Sequence, residues 1–166
     1  MANKSRSDNN IKRKVAVTLV AAICLILLYF LIWGFSAQNA DKSGSLSQRI
    51  SEAVIDMVNS LTWRNWSDAL KAELVAYFEH PIRKLAHFCE YACMGGLVYI
   101  LWRQWMKRGK RLYALCVIWV FVSASVDEFH QTFVPGRYGS FADVCLDTLG
   151  AVCAVFLCIH IDKALT

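Results

Sequence analysis

The sequence predicts an all-α integral membrane protein with four transmembrane helices and an amphipathic helical loop between the first two. Three observations carry this. The 166-residue chain is 57% hydrophobic, with a mean hydropathy of +0.37, which is high for a soluble domain of this length. Its apolar residues fall into four runs, each about as long as a bilayer-spanning helix of roughly 20 residues. Its basic residues gather beside those runs rather than spreading over a polar face.

The first run, Val15 to Phe35, contains no charge. A signal peptide would also have a basic head and an apolar body. This run is longer than such a segment, however, and Phe35-Ser36-Ala37-Gln38 is a poor cleavage site. Residues 1–14 then form a basic tail, 15–35 span one, 36–80 a loop, and 81–166 a core of three further spans. Within that core the apolar runs are Ile82 to Trp102, Leu112 to about Val126, and Phe141 to Ile161. The third is short and must draw on the polar turn after it.

Orientation follows from the lysines and arginines. One clump is Lys4, Arg6, Lys12, Arg13 and Lys14; the other is Arg103, Lys107, Arg108, Lys110 and Arg111. The positive-inside rule puts both on the cytoplasmic side, with both termini. The 36–80 loop and the 127–140 turn then face outward. In the loop, Asp41, Glu52, Asp56, Asp68, Glu73 and Glu79 outnumber Lys42, Arg49, Arg64 and Lys71, in keeping with an outer location. A net charge of +5 distributed in this way does not form a nucleic-acid-binding surface.

Ser45 and Gln48 resemble a capping box. Leu46, Ile50, Val54, Met57 and Leu61 follow at helical spacing, with Arg49, Glu52 and Asp56 between them. A second apolar stripe, Leu70, Leu74, Tyr77 and Phe78, runs to Pro81, which is expected to end it. Trp63 and Trp66 suit either the headgroup region or a cap over the outer ends of the spans. The seven cysteines lie in or beside apolar runs without C-x-x-C spacing, so they read as small buried hydrophobes.

Charged groups within spans cost about 2.5–3.5 kcal/mol each at the centre and so require a partner or a task. Two clusters stand out. In R-K-L-A-H-F-C-E-Y, Arg83, His87, Glu90 and Tyr91 share one helix face, with Lys84 beside them. In D-E-F-H-Q-T-F-V-P-G-R-Y-G-S-F-A-D, Asp127, His130 and Gln131 share a face while Glu128 points elsewhere. Pro135, Gly136 and Gly139 form a tight turn that presents Arg137 at its tip, the second glycine permitting a left-handed conformation. Asp143 and Asp147 re-enter the membrane on one face, placed to receive Arg83, Lys84 or Arg137. With span two descending, span three rising and span four descending, the topology brings both clusters to one depth at the outer boundary. Gly95, Gly96, Gly150 and Ala154 allow close helix approach.

Three readings of the combined cluster stand side by side: a network that locks the helix ends, a site for an anionic lipid headgroup or cell-wall precursor, and an acid/base or metal-dependent enzyme acting on a lipid headgroup or phosphate ester. H-E-x-x-H spacing and a Gly-x-Ser-x-Gly elbow are both absent. No catalytic residue, metal ligand or cofactor is assigned.

F-S-A-Q after span one, R-K-L-A-H-F-C-E-Y, and D-E-F-H-Q-T-F-V-P-G-R-Y-G-S-F-A-D-V-C-L-D-T-L-G-A together resemble the VanZ-like family. The motif positions correspond to Arg83, Lys84, His87, Glu90, Asp127, Glu128, His130, Gln131, Pro135, Gly136, Arg137, Asp143 and Gly150. The resemblance implies a multi-pass protein of the bacterial plasma membrane, similar to one that lowers teicoplanin susceptibility. It implies no settled biochemical activity.

Overall fold

The computed structural model describes residues 2–37 and 40–165; Gln38 of the F-S-A-Q motif lies outside them. The described residues form five helices and no strand: α1 (Ala2–Ser36), α2 (Ala40–Leu61), α3 (Asp68–Arg103), α4 (Lys110–Gln131) and α5 (Phe141–Ala164). All but α2 are long and apolar enough to cross a bilayer.

The core is built from stripes at helical spacing. Tyr91, Met94 and Val98 of α3 meet Leu112, Cys116, Val120 and Ala124 of α4 and Val144, Ala151 and Val155 of α5, all buried. Leu25 and Ile32 of α1 join them. The outward faces are apolar too: Leu27, Phe30, Ile118, Phe156 and Leu157 are each more than half exposed. Cys24, Cys89, Cys93, Cys145 and Cys153 lie on these exposed faces, so that of the seven cysteines expected to be buried only Cys116 is fully so. A helix apolar on both faces is expected where lipid replaces water.

Helices α3 and α5 make the most extensive contact in the bundle, and glycine permits it. A Cβ on Gly95 would lie 2.9 Å from the Cα of Ala151, and one on Gly150 would run into the Phe88 carbonyl. The expected close approach therefore forms within one chain. Gly96 is different, because its nearest neighbour is the Cys158 sulfur at 3.9 Å.

Three local expectations are corrected. Pro81 lies inside α3 rather than ending a preceding helix, since the helix has tertiary support on both sides of it. At 36 residues, α3 is about 54 Å long, well beyond the roughly 30 Å hydrocarbon core. Its first turns form a hairpin with α2, tied by the Lys71–Asp56 ion pair at 2.9 Å. Second, Ser45 is no N-cap, because α2 begins at Ala40; Gln48 instead donates to Glu52. Third, Asp127 to Gln131 belong to α4 rather than to the turn, which gives the short third run its missing length. Ser67 caps α3, accepting from the Leu70 amide.

Candidate functional site

The two polar clusters meet at one end of the bundle, where α1 and α4 finish, α5 starts, and α3 passes through. The core stripe of α4 continues from Ala124 into Asp127 and Gln131, and that of α5 runs from Ala151 back to Asp147. Both carboxylates thus occupy positions that elsewhere hold core hydrophobes, with 1% and 3% exposure respectively.

Asp127 is held by α1. Ser36 donates its hydroxyl hydrogen to Asp127 Oδ2 at 2.8 Å. Gln131 Nε2 donates to the same oxygen at 3.1 Å and approaches the Ser36 oxygen at 3.4 Å. The arrangement fastens the last turn of α1 to that of α4. His130 turns toward α1 as well, its ring parallel to that of Trp33 with centroids 6.0 Å apart.

The α4–α5 connection is built around the proline. Val134 to Arg137 form a turn closed by Arg137 N–H donating to the Val134 carbonyl at 3.1 Å, with Gly136 at φ 76°. That is the left-handed conformation a type II turn demands after proline. Gly139 serves another purpose than expected. A Cβ there would lie 2.6 Å from the Glu128 carbonyl, so its role is close approach rather than positive φ. Glu128 is buried, and its Oε2 accepts from the Ser140 amide at 2.7 Å. Ser140 starts α5 without a capping bond from its own side chain, so a carboxylate from α4 supplies the acceptor.

Arg137 is not displayed at the tip of the turn. It folds inward, half-buried, and Nη2 donates to the Phe35 carbonyl at 3.1 Å. That carbonyl is among the last four of α1, which lack helical partners, so the cation meets the negative end of the helix. Burial lowers the guanidinium from its ordinary value, and the nearby positive charge of Arg83 acts the same way, opposed by Asp127 and Glu128.

Between α3, the turn and α5 lies a cavity of about 320 Å³. Of the predicted residues, Arg83, Lys84, His87, Glu128, Gln131, Arg137, Asp143 and Asp147 line it, as does Gly136. Lys84 forms an ion pair with Asp143, one of the pairings expected. Replacing either partner alone should lower thermal stability by about 1 kcal/mol at this half-exposed position, and the exchange Lys84→Asp with Asp143→Lys should recover part of the loss in detergent melting curves. Glu90 does not reach the cavity. It sits behind His87, with Oε2 3.3 Å from Nδ1 but out of hydrogen-bond alignment. Among the described residues, no three His, Cys, Asp or Glu side chains converge as a metal-binding group.

His80, Tyr138, Ser140 and Leu146 also line the cavity; the sequence reads His80, beside Pro81, as an interfacial or packing residue and does not single out the other three. With α3 continuous through Pro81, His80, Arg83, Lys84 and His87 share one face; a helix starting at Pro81 leaves His80 out. A second polar group lies at the opposite end of the bundle. There Arg103 Nε and the Tyr99 hydroxyl donate to Asp162 Oδ2 at 2.8 and 3.0 Å, and Arg108 donates to the Asp162 carbonyl at 3.2 Å. Every one of these contacts is internal, joining α3 and the loop after it to α5.

A family model described as VanZ/LLP1 matches residues 21–162, which takes in the latter part of span one, the three further spans and every residue around the cavity. No curated protein and no solved structure matches the chain.

Proposed function

This chain belongs to the VanZ/LLP1 family, and from that membership and the cavity we propose that it engages an anionic lipid headgroup, or the phosphate of a lipid-linked cell-wall precursor, at the outer face of the bacterial plasma membrane. One observation carries the reading. Arg83 lines the cavity half-buried and makes no ion pair or hydrogen bond among the described residues, while the Arg137 guanidinium lies close enough to feel its charge. Two guanidiniums brought together at a cavity repel each other until an anion lies between them, and planar forks match phosphate oxygens better than any other side chain. Lys84 is paired with Asp143 and Arg137 Nη2 is bonded to the Phe35 carbonyl, so Arg83 makes the principal contact to the ligand and Arg137 the second.

The test is the binding of short-chain phosphatidic acid to the purified full-length protein, read by native mass spectrometry. Arg83→Ala is expected to weaken binding about tenfold or more, the magnitude of a hydrogen bond to a charged group, and Arg83→Lys by less. Equal affinity in wild type and Arg83→Ala would remove the proposal. Lowered teicoplanin susceptibility is the cellular consequence the family suggests. Cells expressing the wild type, compared with cells expressing Arg83→Ala, should show it only in the first.

The outward placement rests on the two basic clumps and is tested separately. Tyr138 is 90% exposed, so Tyr138→Cys should react with a membrane-impermeant maleimide added to intact cells, and Lys107→Cys only after lysis. Labelling of both, or the reverse order, overturns that orientation. The locking reading has its own support in the Ser36–Asp127–Gln131 contacts. It applies to those three residues, which hold helices together, while Arg83, His87 and Asp147 face the cavity.

A further inference from the structure

Three carboxylates line a cavity proposed to hold an anion, and they differ in what they already do. Glu128 accepts from the Ser140 amide. Asp143 is paired with Lys84. Asp147 is 3% exposed, and its buried Oδ1 has no hydrogen-bond partner among the described residues. The charged groups that act on it most strongly are His87, Glu128, Asp127 and Asp143, of which only His87 is a potential cation, and the Tyr91 hydroxyl is near as well. A buried carboxylate oxygen left unmatched is costly, and the residue that carries it lines the cavity.

We infer that the cavity takes a phosphate ester whose head also carries a hydrogen-bond donor, a hydroxyl or an ammonium, seated on Asp147 while the phosphate lies at Arg83 and Arg137. The inference rests on the phosphate reading of the same site and narrows it. At about 320 Å³ the space is at the small end for ligand pockets. It accommodates one phosphate and a short substituent, and leaves the saccharide and peptide of a cell-wall precursor outside. Arg83 and Arg137 recognise the ester through its anion, and Asp147 selects among esters by accepting from a donor on the head. Phosphatidylglycerol supplies a hydroxyl and phosphatidylethanolamine an ammonium, whereas phosphatidic acid supplies neither on a head substituent.

The three lipids in short-chain form, titrated into the purified full-length protein and followed by native mass spectrometry, separate the possibilities. The wild type is expected to bind phosphatidylglycerol, phosphatidylethanolamine or both about tenfold more tightly than phosphatidic acid. Which of the two is preferred identifies the donor. Asp147→Asn, which removes the charge but keeps one acceptor oxygen, should cut that preference by weakening the two donor-bearing lipids more than phosphatidic acid. The inference fails if the wild type shows no preference over phosphatidic acid, a measurement that needs no variant. It fails equally if Asp147→Asn weakens all three lipids alike, since that marks a structural carboxylate. Loss of sensitivity to Arg83→Ala for every lipid would instead overturn the phosphate reading itself.

Discussion

Gly150→Leu is expected to remove the folded bundle from detergent extracts, with a loss on the order of 3 kcal/mol or more in stability. The first atom of any side chain at this position runs into the Phe88 carbonyl, and it also meets the Ala92 amide nitrogen at 3.3 Å. Both are helix backbone, so neither can rotate out of the way as a side chain would. Helices α3 and α5 would have to separate, and their separation would undo both the Lys84–Asp143 pair and the cavity between them. Gly95→Leu should behave similarly, pressing on the backbone of Ala151. Gly96→Ala supplies the control one residue away, because its new methyl meets only the Cys158 sulfur at ordinary contact distance. Intrinsic tryptophan fluorescence during heating is the measurement. Unaltered melting of Gly150→Leu would mean that the two helices do not approach as described.

Asp127→Ala is the second large effect expected, at about 2–4 kcal/mol. The substitution strips Ser36 and Gln131 of their shared acceptor in a place with little water to replace it. Asp127→Asn keeps an acceptor oxygen and should cost clearly less. If the loss is local, Arg83-dependent lipid binding should survive in the fraction that remains folded, since Asp127 is not part of the cavity wall. A stable Asp127→Ala protein with abolished lipid binding would reverse that assignment and place the residue with the ligand.

Much of this arrangement could be read from the chain. Four apolar runs gave four spans, and alternating direction across the membrane was enough to bring Lys84 beside Asp143 although 59 positions separate them. What escaped was decided by rotation about helix axes and by partners that carry no distinctive signal. His130 and Glu128 are two residues apart, yet one stacks on Trp33 and the other caps α5; only the packing of α1 against α4 determines which goes where. Ser36 at the end of an apolar run looks like a boundary residue until Asp127 is opposite it. Pro81 is a reliable helix stop when a segment stands alone, but α2 and the bundle hold α3 on either side, and the resulting continuity brings His80 into the cavity wall. Asp162 lies just past the fourth apolar run with no motif around it, and its two arginines lie in the clump that the positive-inside rule already uses.

The fastening of α1 also bears on the order in which the chain can be completed. Its terminal turn is finished by Asp127 and Arg137, which lie 91 and 102 positions downstream of the groups they bind. A chain emerging from the ribosome inserts α1 before α3, α4 and α5, with Ser36 and the Phe35 carbonyl still lacking their eventual partners. They wait until the α4–α5 hairpin has entered, so the last turn of α1 is completed well after the rest of the helix has met α3.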